Sequence, residues 1–145
     1  MAIGKVNPQF WKGKRVFVTG HTGFKGSWLS LWLQLMGAEV KGFSLAPSTQ
    51  PALFEVAKVG ENMQTEIGDI RNLQQLSQSI RSFNPDVLLH LAAQPLVRLS
   101  YKEPVDTYST NVIGTVNVLE AARYAPQLKS VVIITTDKCY ENREW

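Results

Sequence analysis

Runs rich in β-branched residues alternate along the chain with segments whose apolar positions recur every three or four residues. RVFVT (15–19) is a short β-rich run followed by a glycine-rich turn. SWLSLWLQLMG (27–37) then sets Trp28, Leu31, Trp32 and Leu35 at helical spacing, with Gly37 placed to end the helix. These residues are expected to face the core, Trp28 and Trp32 as its fillers. EVKGFSL (39–45) predicts a second strand and MQTEIGD (63–69) a short third. Between them APSTQPALFEVAKVGEN is a polar, proline-containing excursion with room for one helical turn. NLQQLSQSIRSF (72–83) carries Leu73, Leu76, Ile80 and Phe83 on one face, and Pro85 forces its end. DVLLHLAA (86–93) is a continuous apolar run, the pattern of a strand covered on both sides. A long, mostly helical segment from Glu103 to Tyr124 precedes Pro126, and SVVIITT (130–136) reads as a fifth buried strand. Strand and helix in alternation, with apolar strands, predict an α/β fold: a Rossmann-like, doubly wound parallel sheet of about five strands with helices on both faces.

Composition narrows the classes. The 145 residues suit one domain, and 44% hydrophobic and 19% charged residues are ordinary for a globular protein. The net charge of +3 is scattered from Lys5 to Arg143, without the basic stripe of a nucleic-acid binder. The single cysteine excludes an internal disulfide and fits a reducing compartment. The start MAIGKVNPQFWKGK has no apolar stretch of signal-peptide type, and runs such as VLLHLAA are too short to span a bilayer, so a cytoplasmic location is expected and no membrane partner. Metal-ligand spacing is absent.

The glycine turn carries the first chemistry. TGHTGFKG (19–26) spaces Gly20, Gly23 and Gly26 three apart, between a β-run and an amphipathic helix. Such a turn brings backbone N–H groups and the positive end of the next helix against a pyrophosphate. His21 stands where the G-x-G-x-x-G pattern would begin with glycine. The T-G-x-x-G-x-x-G form resembles the extended short-chain dehydrogenase/reductase family, and four further stretches resemble it too. GDI (68–70) looks like the turn whose acid, Asp69, and following residue, Ile70, hold an adenine. LAAQ (Leu91, Ala92, Ala93, Gln94) lies where the family lines the ribose and phosphates on the nicotinamide side. TNVIGTVNVLEAAR (110–123) is similar to its long helix, with Asn111 at the position of a structural asparagine. TTDKCY (135–140) is similar to the strand that carries its catalytic threonine or serine.

Within that family FWKGKRVFVTGHTGFKGSWLSLWL, AAQPLVRLSY and TTDKCYENREW resemble the CDP-glucose 4,6-dehydratases, from Phe10 to Trp145. The resemblance implies tightly bound, recycled NAD and a nucleotide-sugar substrate, CDP-glucose, converted to its 4-keto-6-deoxy form with loss of water. Such products feed the deoxysugars of bacterial surface polysaccharides such as lipopolysaccharide O-antigen. The implied cofactor contacts run from Gly20, His21, Thr22 and Gly23 into Phe24, Lys25 and Gly26. They continue at Ser44, at the GDI and LAAQ stretches, at Asn111 and at Thr135. Thr136 is implied as the hydroxyl on the C4 oxygen and Asp137 as the acid for the C6 hydroxyl. Lys138 stands where relatives carry a glutamate base, so how it and Asp137 divide the proton transfers stays open. Arg98 and Tyr101 are assigned no role.

Three features read against the pattern. The second strand ends in GFSLAP, with Ser44 where an acid usually accepts both ribose hydroxyls, so weaker NAD retention is expected, without NADP preference. His21 either touches the pyrophosphate or is solvated; His90, inside VLLHLAA, reads as a satisfied core histidine and Cys139 as a small buried or half-buried residue. Finally, no tyrosine is followed four residues on by lysine: Val105, Val112, Leu128 and Glu144 take those places. The family's chemistry needs that pair. Residues 1–145 therefore read as the N-terminal part of an NAD-binding domain, with later strands and a substrate-binding domain outside it, inactive alone and marginally stable or paired with another chain. The long helix 103–124 is of the kind that pairs subunits into homo-oligomers in the family. An epimerase or reductase of the same family, and a non-catalytic dinucleotide-binding module, are the alternatives; TTDKCYENREW speaks against the former, and binding without turnover would mark the latter.

Overall fold

The computed structural model describes residues 6–136 and 140–141. A short helix α1 (Pro8–Trp11), capped by the Asn7 side chain, leads into β1 (Arg15–Thr19). Helix α2 (Phe24–Leu35) connects to β2 (Glu39–Ser44). The proline-containing excursion holds α3 (Leu53–Val56) and a 3₁₀ turn (Val59–Asn62) before β3 (Gln64–Ile67). Helix α4 (Leu73–Phe83) and β4 (Val87–His90) follow. Then come α5 (Val97–Lys102), α6 (Pro104–Tyr108), a π turn (Ser109–Ile113), α7 (Gly114–Ala122) and β5 (Ser130–Ile133). Among the described residues no helix is long and apolar enough to cross a membrane.

The five strands form one parallel sheet in the order β3-β2-β1-β4-β5. Central β1 pairs Val16 with Val40 on one side and with Val87 on the other. Alternation along the strands splits the core in two. Phe17, Phe43 and Leu88 point to the face covered by α4 and α7, where Leu76, Ile80 and Val118 meet them. Val16, Val18, Val40, Val87 and Leu89 point to the other face, under Leu33 of α2. Asn72 caps α4 by accepting from the Gln75 N–H, and Asn84 ends it in the left-handed conformation before Pro85. Leu76, Ile80 and Phe83 are buried as their spacing requires, whereas Leu73, in the first turn, is partly exposed.

Two expectations are corrected. In α2 the buried residues are Gly26, Ser27, Ser30 and Leu33, while Trp28 is 56% and Trp32 51% exposed and Leu35 more so. The helix crosses the glycine turn so closely that a Cβ at Gly26 would sit 2.0 Å from the Gly20 carbonyl oxygen. Beside the turn only small side chains fit, Gly26, Ser27 and Ser30, with Leu33 buried a turn further on, and the tryptophan face turns outward. Strand β5, at the sheet edge, is not buried on both faces: Ser130 and Val132, in register with Val87 and Leu89, are exposed, while Val131 packs against the core of the other face. The segment 103–124 is also interrupted. The Gly114 N–H bonds the Ser109 carbonyl, five residues back, giving the π turn between α6 and α7.

Candidate functional site

Every strand contributes the residues just beyond its C-terminal end to one cavity of about 550 Å³. Gly20 and Thr22 come from β1, Ser44 and Leu45 from β2, and Gly68 to Ile70 from β3. Leu91 to Ala93 follow β4, and Ile134 and Thr135 follow β5. From β1 the neighbouring strands diverge, β2 to one side and β4 to the other, and a crevice opens at that reversal.

The glycine turn forms its floor. Gly20 has φ +78, and a Cβ there would lie 2.7 Å from the Ala92 nitrogen, so both conformation and space demand glycine. Gly23 caps α2 without a side chain, and Phe24, Lys25 and Gly26 of the first turn, whose N–H groups have no partner within the helix, line the cavity. Ser27 holds the turn from behind by donating to the His21 carbonyl at 3.0 Å.

At the β2 end the Thr22 and Ser44 hydroxyls lie 2.7 Å apart, and the Leu45 carbonyl accepts at 2.8 Å from Thr22 and 2.9 Å from Ser44. Only two protons serve these three contacts, so two of them are hydrogen bonds at any one time; no carboxylate stands here. On the β3 side three N–H groups of Arg71 converge on Asp69: the backbone at 2.8 Å, Nε at 2.9 and 3.0 Å, and Nη2 at 2.6 Å. These bonds hold the Asp69 carboxyl below the usual carboxylate range against the opposing effect of burial. They leave roughly one of its about four lone-pair sites for a ligand. The same arginine pairs with Asp106, tying this turn to α6, and Asp69 first, then Asp106, raise its own pKa.

His21 meets neither expectation. It is fully buried, its ring edge-on to Phe54 at 5.2 Å, and it does not line the cavity. Gly42 makes the space, since a Cβ there would fall 2.2 Å from the imidazole. Neither ring nitrogen has a hydrogen-bond partner among the described residues, and burial lowers its pKa to about 4. His90 is the satisfied core histidine that its apolar surroundings predict: Nδ1 lies 2.6 Å from the Thr19 hydroxyl and Nε2 3.1 Å from that of Thr115. Burial lowers its pKa to about 4 as well.

Gln94 and Asn111, expected at the cofactor, stand behind the cavity wall instead. The Asn111 side chain pairs with both backbone groups of Gln94, accepting from its N–H at 2.8 Å and donating to its carbonyl at 3.0 Å. Thr135 lines the cavity and Thr136 does not. Asp137, Lys138 and Cys139 lie outside the described residues. The sequence reading missed Leu45, Gly68, Pro95, Thr110 and Ile134 as lining; Thr110 reaches the cavity from the π turn, for which the sequence carries no signal.

Donor set and shape fit a dinucleotide: side-chain-free floor, helix N–H groups for phosphates, hydroxyls and an acid beyond. No group of three or more metal-ligating side chains occurs among the described residues. Fold and cradle thus define a dinucleotide-binding protein of the doubly wound α/β class. Residues 17–144 match the family described as GDP-mannose 4,6 dehydratase, and the chain belongs to that family. It is 59% identical over 140 residues to the CDP-glucose 4,6-dehydratase of Salmonella typhimurium, covering 97% of this chain and 39% of that protein. With the GDP-mannose 4,6-dehydratase of Vibrio cholerae it shares 31% identity over 121 residues, 77% of this chain and 31% of the relative. The chain therefore spans less than half the length of these relatives. Among solved structures, UDP-glucose-4-epimerase from Stenotrophomonas maltophila, with bound NAD and formylated UDP-arabinopyranose, superposes with a TM-score of 0.80 at 25% identity, covering 91% of this chain and 40% of that one.

Proposed function

We propose that these residues are the NAD-binding portion of a nucleotide-sugar 4,6-dehydratase acting on CDP-glucose. The observation that carries this reading is the 59% identity to a CDP-glucose 4,6-dehydratase across 97% of the chain. Bound NAD would supply a hydride acceptor that takes hydrogen from C4 of the hexose and later returns it to C6.

The chain's own residues bind and orient. First-turn N–H groups of α2 hold the pyrophosphate, helped by the helix dipole. Thr22 and Ser44 hydrogen-bond the adenosine ribose through neutral hydroxyls, about half as strong as a carboxylate's charge-assisted contact. Asp69 takes the adenine amino edge with the lone pair Arg71 leaves, and Ile70 packs beside the ring. Ala92 and Ala93 exclude water from the nicotinamide half. Thr135 faces the same half, with Thr136 donating to the C4 oxygen and Asp137 and Lys138 handling protons at C5 and C6.

Because no tyrosine here is followed four residues later by lysine, the 145-residue polypeptide binds NAD and turns nothing over. Two copies pair through the exposed apolar side chains of the 104–122 segment, and 4-keto-6-deoxy products enter deoxysugar and O-antigen synthesis. The test gives this polypeptide NAD and CDP-glucose, with dTDP-glucose and GDP-mannose as controls, and measures both NAD binding and product. Binding with silence toward all three sugars is expected; absence of NAD binding would sink the proposal, and turnover of CDP-glucose would overturn the need for the tyrosine–lysine pair.

A further inference from the structure

His90 sits in a hydrogen-bond chain in which each hydroxyl and ring proton has one place to go. The Thr19 hydroxyl oxygen accepts from the Ala92 N–H at 3.2 Å and shares the Leu91 N–H, also at 3.2 Å, with the Thr19 carbonyl at 3.1 Å; both backbone neighbours are donors, so neither takes the hydroxyl proton. Its own proton is therefore directed at His90 Nδ1, 2.6 Å away. With Nδ1 an acceptor, the imidazole proton is on Nε2, which donates to Thr115 at 3.1 Å. The Thr115 hydroxyl in turn donates to the Asn111 carbonyl at 2.7 Å, inside the π turn. The chain runs in one direction, from the loop after β4 through β1 and the His90 ring to the turn between α6 and α7.

That turn shapes three parts of the cavity wall. Thr110 lines the cavity directly. Asn111 clamps the backbone of Gln94, between the lining residues Ala93 and Pro95. Gly114, at the turn's end, is pressed so closely on Ile70 that a Cβ would lie 2.4 Å from its Cδ1, and Ile70 lines the cavity too. Yet His90 lines nothing and is 2% exposed. A π turn within a helix is uncommon and frequent at functional sites, and the His90 ring reaches this one through the Thr115 hydroxyl.

We propose that His90 is a positioning residue for dinucleotide binding: as a neutral relay from Thr19 to Thr115 it sets the π turn 109–113, and through that turn the 91–96 loop and Ile70. The proposal rests on the dinucleotide reading of the cavity. Thr115→Val removes the relay's last hydroxyl at nearly constant shape, and Thr115→Ser keeps it. His90→Phe keeps the ring and removes both nitrogens; His90→Gln restores a donor near the Nε2 position. NAD affinity, amide hydrogen exchange and melting temperature are measured for each.

In Thr115→Val, exchange at Ala92, Gln94 and Gly114 should quicken about tenfold relative to the sheet, and the NAD dissociation constant should rise about tenfold, the scale of one or two net hydrogen bonds. Thr115→Ser should restore both, and His90→Gln should recover part of what His90→Phe loses. If His90→Phe does not fold, the Thr115 pair decides alone. Unchanged exchange and affinity in Thr115→Val, or losses that follow melting temperature without rescue by serine, would overturn the proposal. Should the unaltered chain bind no NAD, the functional reading fails, and exchange at those three amides still judges the relay.

Discussion

At the scale of single residues, His21 and His90 are the chain's two histidines, both buried, each with its pKa lowered from 6.5 to about 4 by burial. A base with a depressed native pKa favours the fold in its neutral form. Between pH 6.5 and 4 the unfolded chain therefore binds more protons than the folded one, so stability is complete above 6.5 and is lost as pH falls toward 4. Two such groups give a slope approaching about 2.7 kcal/mol per pH unit, half of it from each proton. Asp69 and Glu66, whose pKa values are lowered by Arg71 and, past an opposing burial effect, by Ser79 and Lys41, add loss only below the range of free carboxylates. His21→Leu should halve the slope between pH 6.5 and 4. At pH 7 it should leave stability within about 1 kcal/mol, because it removes a buried polar ring without hydrogen bonds among the described residues. Thermal melts of both proteins across pH 4 to 7 check this; an unchanged slope would mean that His21 takes up its proton at the same pH in the folded and unfolded chains. Gly26→Ala is the steric counterpart. With a Cβ 2.0 Å from backbone oxygen, the turn must shift, at a cost of about 1–3 kcal/mol and with loss of NAD binding. Melting temperature and an NAD titration read the two effects separately.

Elements show where sequence pattern suffices and where it does not. β1 and β2 fall within the runs 15–19 and 39–45 because a buried parallel strand needs only a continuous β-rich stretch between turn residues. The glycine floor was legible for the same reason: Gly20 and Gly26 each do a backbone task that other residues cannot, and Gly23 between them opens the helix without a side chain. In α2 the pattern misled. Spacings of three and four fit both the Trp28–Trp32 face and the Gly26–Ser30–Leu33 face, and hydrophobicity favours the first. Close approach to Gly20 decides for the second, and closeness is a property of the fold, not of the helix. The π turn and the burial of His21 in the space left by Gly42 are likewise tertiary, each resting on partners far along the chain. The α2 register gives a direct test. Leu33→Ala, at a position 1% exposed, should cost about 2–5 kcal/mol. Trp32→Ala should cost clearly less despite deleting the larger side chain. Urea midpoints of the two variants decide, and the opposite ranking would return the tryptophan face to the core.

For the whole molecule, the distribution of apolar surface matters most. Along α6, the π turn and α7, Val105, Tyr108, Val112, Val116 and Leu119 recur at intervals of three and four and are all exposed. The interval of four from Tyr108 to Val112 crosses the π turn, whose wider pitch keeps both near one line, so the stripe continues through the irregularity. Its opposite face is already committed: Val118 and Ala121 are packed against the sheet with α4. A contiguous apolar stripe of this kind is the mark of an interface, and a helix stripe that pairs with its own copy needs no further element to complete it. The same segment carries the Asn111 clamp and Thr110, so an interface there would also stiffen the cavity wall. The expected outcome is a dimer at micromolar concentration in sedimentation velocity, and a monomer when Val112→Lys and Val116→Lys are combined. Because both positions are exposed, the double variant should keep its circular dichroism spectrum and most of its melting temperature, apart from what association contributes by mass action. NAD affinity should weaken in the monomer if the interface braces the π turn, and hold if it does not. A wild-type chain that sediments as a monomer throughout would show that the stripe is not a self-interface.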